Sequence, residues 1–401
     1  MNIFKKAYCR IFQTCFRIVH PLLPYREPLL FENIDDIPKI LKEKNIKSVM
    51  LVTDKGIRGL GLTKKFEDLL EKEEIICTVY DNTLANPTVK NVEEARILYL
   101  ENNCEALIAF GGGSAMDCAK ALGARIAYPK KSVGKLKGLL KIRRKIPMLI
   151  AIPTTAGTGS EVTLASVITD SEKQHKYTLM DFNLIPSVAV LDPMCTVSLP
   201  PHLTSTTGMD ALTHAIEAYI GKSTTKETRR RSIKAIKLIY ENIEKAYNNG
   251  SDLKARSNML VAAYEAGIAF SKSYVGYVHA IAHSLGGKYN IPHGLANAII
   301  LPIVLKEYGQ SVYKKLHQLA VEVGISSKDD NTEESANRFI ESIKELNRKM
   351  NIPTSINDIQ DQDIEEMAKH ANKEANPLYP VPRLLDTKQL SNLYYQIKNN
   401  K

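Results

Sequence analysis

From about residue 45 the hydrophobic pattern alternates between two periods. Lys47 to Thr53 (K-S-V-M-L-V-T) is a short apolar run ending at Asp54, and Ile75 to Tyr80 is a second. Ala106 to Phe110 runs into Gly111, and Met148 to Ile152 leads into a hydroxyl-rich loop. Runs of this length, apolar throughout, read as strands buried on both faces. Val89 to Asn102 between them has helical spacing. Strands separated by helical stretches predict right-handed crossovers and a parallel sheet covered on both sides. Ser187 to Leu191 is the last clear strand. Beyond Pro200-Pro201 the period stays near that of a helix through Gly208–Ile220, Thr225–Asn248, Leu253–Phe270 and Leu295–Tyr308. The expected architecture is an α/β domain over residues 26–200 followed by an all-α C-terminal domain over 201–401.

Residues 1–25 follow a pattern of their own. Phe4, Tyr8, Ile11, Phe12, Cys15, Val19 and Leu22 recur on one helical face, while Lys6, Arg10 and Arg17 point the opposite way. Pro21 and Pro24 should stop the helix. Charges interrupt every apolar run well short of the roughly 20 residues that a membrane span needs. A signal peptide fits poorly, because Arg10 and Arg17 break the apolar core and no small-residue cleavage site follows. Packing of this basic amphipathic helix on the body of the protein is the preferred reading, ahead of attachment to an anionic membrane surface through residues 1–23.

Composition narrows the class. With 44% hydrophobic and 24% charged residues, disorder is excluded. Six cysteines without a C-x-x-C pair read as reduced thiols of a cytoplasmic protein. The net charge of +10 draws much of its excess from the N-terminal segment and from the run Lys130 to Lys145. No aromatic residue after Tyr128 interleaves that run, so a nucleic-acid platform is not expected. It reads as a solvated loop.

Two loops carry phosphate-binding chemistry. Gly111-Gly112-Gly113-Ser114 sits at a strand-to-helix turn, where glycines let backbone N–H groups approach an anion and the helix N-terminus favours negative charge. The G-x-G-x-x-G fingerprint is not met, since the third glycine would fall on Met116. A plain tight turn fits the same residues. The second loop, Pro153-Thr-Thr-Ala-Gly-Thr-Gly-Ser-Glu161, offers Thr154, Thr155, Thr158 and Ser160 as ligand hydrogen bonders. Asp54, ending a strand, suits either a ribose hydroxyl or an N-cap.

The histidines are unevenly spread. Of nine, four fall in G-M-D-A-L-T-H-A-I-E and V-H-A-I-A-H-S-L-G-G-K-Y-N-I-P-H-G. Asp210 and His214 are four apart, so a helix stacks them on one face, and His279 and His283 repeat that spacing before His293 returns on a Pro-His-Gly turn. Carboxylate and imidazoles together suit a divalent metal without thiolate. Spacing does not decide which three histidines bind. Glu217 lies near the Asp210–His214 face and fits either a carboxylate supporting a ligand or a helix contact. Phe270 reads as core or as pocket lining.

Taken together, G-G-G-S-A-M-D, P-T-T-A-G-T-G-S-E, G-M-D-A-L-T-H-A-I-E and H-A-I-A-H…P-H-G resemble the iron-containing (group III) alcohol dehydrogenase family, in the family's order over about residues 30 to 310. The N-terminal helix and the P-L-Y-P-V-P-R tail fall outside the common pattern. The resemblance implies an N-terminal domain with a parallel dinucleotide-binding sheet and a helical metal-binding and substrate domain. It implies Asp210, His214, His279 and His293 as metal ligands, with His283 outside the ligand set as the catalytic proton relay. Gly112, Gly113 and Ser114 match the pyrophosphate loop, and Asn86, Thr154, Thr155, Thr158 and Lys176 match further cofactor contacts. Asp54 matches the position that favours NAD over NADP. The basic run favours NADP, but exposed charges are screened beyond about 8–10 Å. The expected metal is Fe²⁺, with Zn²⁺ the alternative.

The expected reaction is metal-dependent hydride transfer between nicotinamide and a small primary alcohol or aldehyde, in a homo-oligomer such as a dimer. The alternatives are a lyase like dehydroquinate synthase, or a non-catalytic metal-nucleotide binder working through its N-terminal helix.

Overall fold

The computed structural model describes residues 1, 3–19, 23–171 and 175–399. They form two compact units, Pro24–Leu199 and Met1–Leu23 with Pro200–Lys401. Nine strands occur among the described residues: β1 (Leu29–Phe31), β2 (Ser48–Val52), β3 (Ile76–Tyr80), β4 (Ala106–Gly111), β5 (Gly138–Leu139), β6 (Met148–Pro153), β7 (Ala165–Asp170), β8 (His175–Met180) and β9 (Val188–Val190). All lie in the first unit.

Six strands make one sheet in the order β1-β9-β6-β4-β2-β3, every neighbouring pair parallel. Its two faces feed separate cores, as period-two alternation requires. Met50, Val52, Leu107 and Ala109 point to one core, which also takes Ala119 and Leu122 from helix Gly113–Ala127. Val49, Leu51, Ile108 and Phe110 point to the other, with Phe66 and Leu70 from helix Lys64–Lys72. Burial on both faces explains why these strands are apolar throughout. A second, three-stranded sheet joins β5 to β8 in parallel and β8 to β7 antiparallel. That hairpin was not expected from the sequence, because its residues (A-S-V-I-T-D and H-K-Y-T-L-M) are only half apolar.

In the second unit, helices Pro201–Ile220, Lys226–Asn248 and Leu253–Ser273 pack at close range. A Cβ on Gly208 would lie 2.7 Å from Ile243 Cδ1 and 2.8 Å from Met259 Cε. Helices Tyr277–Tyr289, His293–Tyr308, Tyr313–Glu322, Thr332–Lys349, Asp361–Ala375 and Thr387–Asn399 complete it.

The N-terminal helix, Ile3–Val19, belongs to this helical unit. It packs on the body, but through the face opposite its apolar stripe. Cys9 and Gln13 are buried, while Phe4, Tyr8, Ile11, Phe12 and Cys15 face outward. Residues 377–382 supply the reason. This proline-rich stretch has no strand partner, so its carbonyls need donors. Gln13 Nε2 donates to the carbonyls of Tyr379 (2.7 Å) and Pro377 (3.1 Å). The Arg10 guanidinium donates to those of Val381 (2.7 Å) and Pro382 (3.1 Å). Pro21 and Leu22, expected at the end of this helix, lie outside the described residues.

One buried cation ties the α/β unit together. Lys120 is fully buried, and its Nζ donates to Ser160 O (2.7 Å), Ser160 Oγ (2.9 Å), Thr163 O (2.9 Å), Thr163 Oγ1 (3.0 Å) and Ala165 O (2.9 Å). Burial lowers its pKa, and the Asp117 carboxylate opposes that shift. Lys120→Met leaves five oxygens and a buried carboxylate without their cation. The expected loss is about 3–5 kcal/mol, read as a lower urea midpoint at unchanged slope.

Candidate functional site

In the main sheet, β3 lies on one side of β2 and β4 on the other. The chain reverses direction there, and the crevice outside such a switch point is where α/β sheets bind ligands. Asp54 follows β2 and Gly111 ends β4. Gly111 has φ +157°, and a Cβ there would stand 2.8 Å from Ala115 Cβ, so only glycine fits. Gly112 is the N-cap of helix Gly113–Ala127 and, being glycine, supplies no side-chain cap to its first N–H groups.

The two loops singled out from the sequence interlock. Cβ atoms on Gly113 and Gly112 would lie 3.0 Å from Thr158 Cγ2 and 3.5 Å from Thr155 Cγ2. Ser114 Oγ donates to Ala85 O (2.6 Å), and Lys176 Nζ donates to Asn86 Oδ1 (2.8 Å). Thr154 Oγ1 is buried without a hydrogen-bond partner. Asp54 takes its N-cap role through Oδ1, which accepts the Ile57 N–H at 3.0 Å. Its Oδ2 lies 3.9 Å from where a Gly111 Cβ would stand. The charged side chains from Lys130 to Lys145 are exposed, with Lys131 and Arg144 flanking the Tyr128 ring.

The metal-capable side chains converge in the helical unit. Asp210 and His214 are buried one turn apart on helix Pro201–Ile220. His279 and His283 sit one turn apart on Tyr277–Tyr289, and His293 opens His293–Tyr308. The start of this last helix presses against the first: a Cβ on Gly294 would be 2.4 Å from the Thr206 carbonyl oxygen. This explains the glycine in Pro-His-Gly. Asp210 Oδ1 lies 3.5 Å from His293 Nε2 and 3.9 Å from His279 Nε2, and one ligand atom from each residue fits within 4.8 Å of the other two. His214 stands beside them with its ring stacked on His279 (centroids 4.4 Å) and on Phe270 (4.1 Å).

Glu217, one helical turn beyond His214, orients His279. Its carboxylate accepts N–H bonds from Gly276 (2.8 Å), Val278 (2.9 Å) and His279 Nδ1 (2.7 Å). The proton therefore sits on Nδ1, and Nε2 keeps its lone pair. That Nε2 is buried with no hydrogen-bond partner. Burial, followed by repulsion from the neighbouring imidazoles, holds the His279 pKa well below its usual value. Burial also lowers His293 to about 4, although Asp210 opposes it. Both rings are neutral at pH 7, the form that binds a metal. A lone pair aimed at a carboxylate and a second imidazole is a donor set that fits a divalent cation.

His283 lies apart from this triplet in character. It is half exposed, and its Nδ1 is 2.7 Å from Glu374 Oε1, which also accepts the Tyr379 hydroxyl at 2.7 Å. Burial lowers the His283 pKa, but the Glu374 carboxylate outweighs it and the net shift is upward. Glu374 was not found in the sequence, since 91 residues separate it from His283 and no motif surrounds it. Asn297 was missed too. Its Nδ2 donates to Asp210 Oδ1 (2.6 Å) and lies 3.1 Å from His293 Nε2. Its place one turn after His293 was the available signal.

Known proteins match nearly the whole chain. Residues 29–193 match the model of the iron-containing alcohol dehydrogenases, and residues 204–397 match that of the C-terminal part of the Fe-containing alcohol dehydrogenase family. Alcohol dehydrogenase 4 of Saccharomyces cerevisiae is 39% identical over 361 residues, 89% of this chain and 92% of that protein. The NAD-dependent methanol dehydrogenase of Bacillus methanolicus is 34% identical over 340 residues, 84% of this chain and 89% of that one. A crystal structure of 1,3-propanediol oxidoreductase superposes with a TM-score of 0.90 at 33% identity, covering 93% of this chain and 99% of that one. With matches of this extent on both sides of residue 200, the chain belongs to the iron-containing alcohol dehydrogenase family.

Proposed function

We propose that the protein is a metal-dependent, NAD-linked alcohol dehydrogenase and aldehyde reductase, acting on small primary alcohols or their aldehydes. The observation that carries this reading is the convergence of Asp210 Oδ1, His279 Nε2 and His293 Nε2, with Glu217 fixing the tautomer of His279. Asp210, His214, His279 and His293 hold the metal. A divalent cation bound there supplies Lewis-acid polarisation of the substrate oxygen, and bound NAD supplies the hydride acceptor. Fe²⁺ follows from the family, and Zn²⁺ suits the same donors.

The residues of this chain divide the remaining work. Gly112, Gly113 and Ser114 seat the pyrophosphate on open helix N–H groups. Asn86, Thr154, Thr155, Thr158 and Lys176 line the rest of the cofactor path. Asp54 accepts from a ribose hydroxyl and repels a 2′-phosphate, which favours NAD over NADP. His283 takes the proton released on alcohol oxidation, and its half-exposed ring returns it to water. Glu374 orients that ring. Relatives named for methanol and 1,3-propanediol point to short, unbranched substrates.

The direct test is an aldehyde panel with NADH and with NADPH on anaerobically purified protein, paired with elemental analysis. Consumption of NADH with each aldehyde supports the reading. A product formed with no net change in NADH supports the lyase instead.

Three variants probe the assignments. His279→Ala should lose metal and turnover together, and a metal-loaded, active variant would remove His279 from the ligand set. Glu217→Ala should weaken metal affinity by about 10–100-fold, measured by competition with a chelator. His283→Gln should keep its metal while kcat falls by about 10²–10⁴. For the cofactor, Asp54→Ser keeps an N-cap but removes the charge. It should raise the NADPH to NADH ratio of kcat/KM about tenfold, the effect of some 1.4 kcal/mol.

A further inference from the structure

The N-terminal helix is docked by its polar face and shows water its apolar one. Around the helix, Ile18, Ile11, Phe4, Cys15, Tyr8 and Phe12 occupy one continuous arc, opposite the buried Cys9 and Gln13. Phe4 is 83%, Ile11 64% and Tyr8 59% exposed, against 1% for Cys9 and 5% for Gln13. A helix whose only task was to cover the body would be docked the other way round, because burial of that stripe is what favours packing. An exposed stripe this long marks an interaction surface.

The charge of the helix says what covers it. The first acidic residue of the chain is Glu27, whereas Lys5, Lys6, Arg10 and Arg17 all lie on the helix. An open cleft of about 460 Å³ adjoins the helix, lined by Lys6 and Arg10 together with Arg383, which pairs with Glu307. A second copy meeting this helix would bring two basic helices together with no acid on either to offset them. An anionic lipid surface matches both features: the exposed Phe and Ile side chains enter the acyl boundary, and Lys5 at the edge of the stripe reaches the phosphates. Lys6 and Arg17, exposed behind it, add attraction within a Debye length, whereas Arg10 is held by the Val381 and Pro382 carbonyls. No helix among the described residues is long and apolar enough to cross a membrane. We propose that helix Ile3–Val19 is a membrane-surface anchor that seats the enzyme on bilayers containing anionic phospholipid, lying in the headgroup plane with its Phe4–Ile11 face inserted. This surface is independent of the catalytic assignments.

The test is co-sedimentation of the full chain with vesicles of phosphatidylcholine containing about one third phosphatidylglycerol, against phosphatidylcholine alone. The expected result is binding to the anionic vesicles that weakens at least tenfold on neutral ones, in 0.5 M NaCl, or in Phe4→Glu/Ile11→Glu. Lys6→Glu, which reverses one charge at the surface, should weaken it about fivefold or more. Aldehyde reduction by the double variant should be unchanged, and Phe4→Ser/Ile11→Ser replaces it if the first does not fold. Absence of binding to anionic vesicles overturns the proposal, as does binding that ignores both double variants. Self-association of the wild-type protein that the double variant abolishes, without vesicle binding, assigns the face to a second copy and overturns it as well.

Discussion

The metal-capable cluster depends on one buried carboxylate. Glu217 reaches from helix Pro201–Ile220 to the N-terminus of helix Tyr277–Tyr289 and accepts Gly276 N–H, Val278 N–H and His279 Nδ1–H together. Burial pushes its pKa up to about 7, and hydrogen bonds from the backbone N–H groups of Gly276, Val278 and His279 pull the other way. The contact is so close that Gly276 has no room for a side chain: a Cβ would lie 2.6 Å from Glu217 Oε1. A single interaction thereby caps a helix, joins two helices and selects the tautomer of an imidazole. Loss of it would free the His279 ring to turn and leave two backbone donors buried without acceptors.

The nucleotide side is built on a different constraint, the meeting of two loops across the sheet's switch point. Gly113 packs against Thr158 and Gly112 against Thr155, so a side chain at Gly113 would crowd the second loop. Lys120 holds the far end of the second loop to the helix that begins at the first. The glycines are thus fixed by packing as much as by any phosphate. This is why the loop departs from the usual fingerprint: position 116 carries Met116, fully buried in the core, where a dinucleotide motif has its third glycine.

What could be read in the sequence was whatever repeats at a fixed interval. The strands Ser48–Val52, Ala106–Gly111 and Met148–Pro153 were legible because both faces are buried, and the pairs Asp210–His214 and His279–His283 because four residues make one helical turn. The metal cluster itself needed two such pairs and a Pro-His-Gly turn to be brought together, and the sequence supplies those pieces but not their separation. Glu374 and Asn297 escaped for a simpler reason. One carboxylate or amide on a helix surface looks like any other until the fold places it against an imidazole. The hairpin β7–β8 escaped because its alternation is broken: in β7 the polar Ser166 is buried while Val167 faces out.

The N-terminal helix marks the limit of amphipathicity as an argument. A hydrophobic stripe predicts that some face will be covered, but not which surface does the covering. Here the proline-rich stretch 377–382 presents carbonyls that no strand satisfies, and a buried carbonyl without a donor costs more than one well-placed Arg10 or Gln13 loses in ordering. Polar groups therefore decide the docking, and the apolar face is left outside. The docked side is also adjacent to the chemistry. Gln13 holds the Tyr379 carbonyl at 2.7 Å, while the hydroxyl of the same tyrosine donates to Glu374, the partner of His283. One short segment thus has two tasks, fixing the helix through its backbone and the carboxylate through a side chain. That double use accounts for an irregular, proline-rich path in a unit otherwise made of helices.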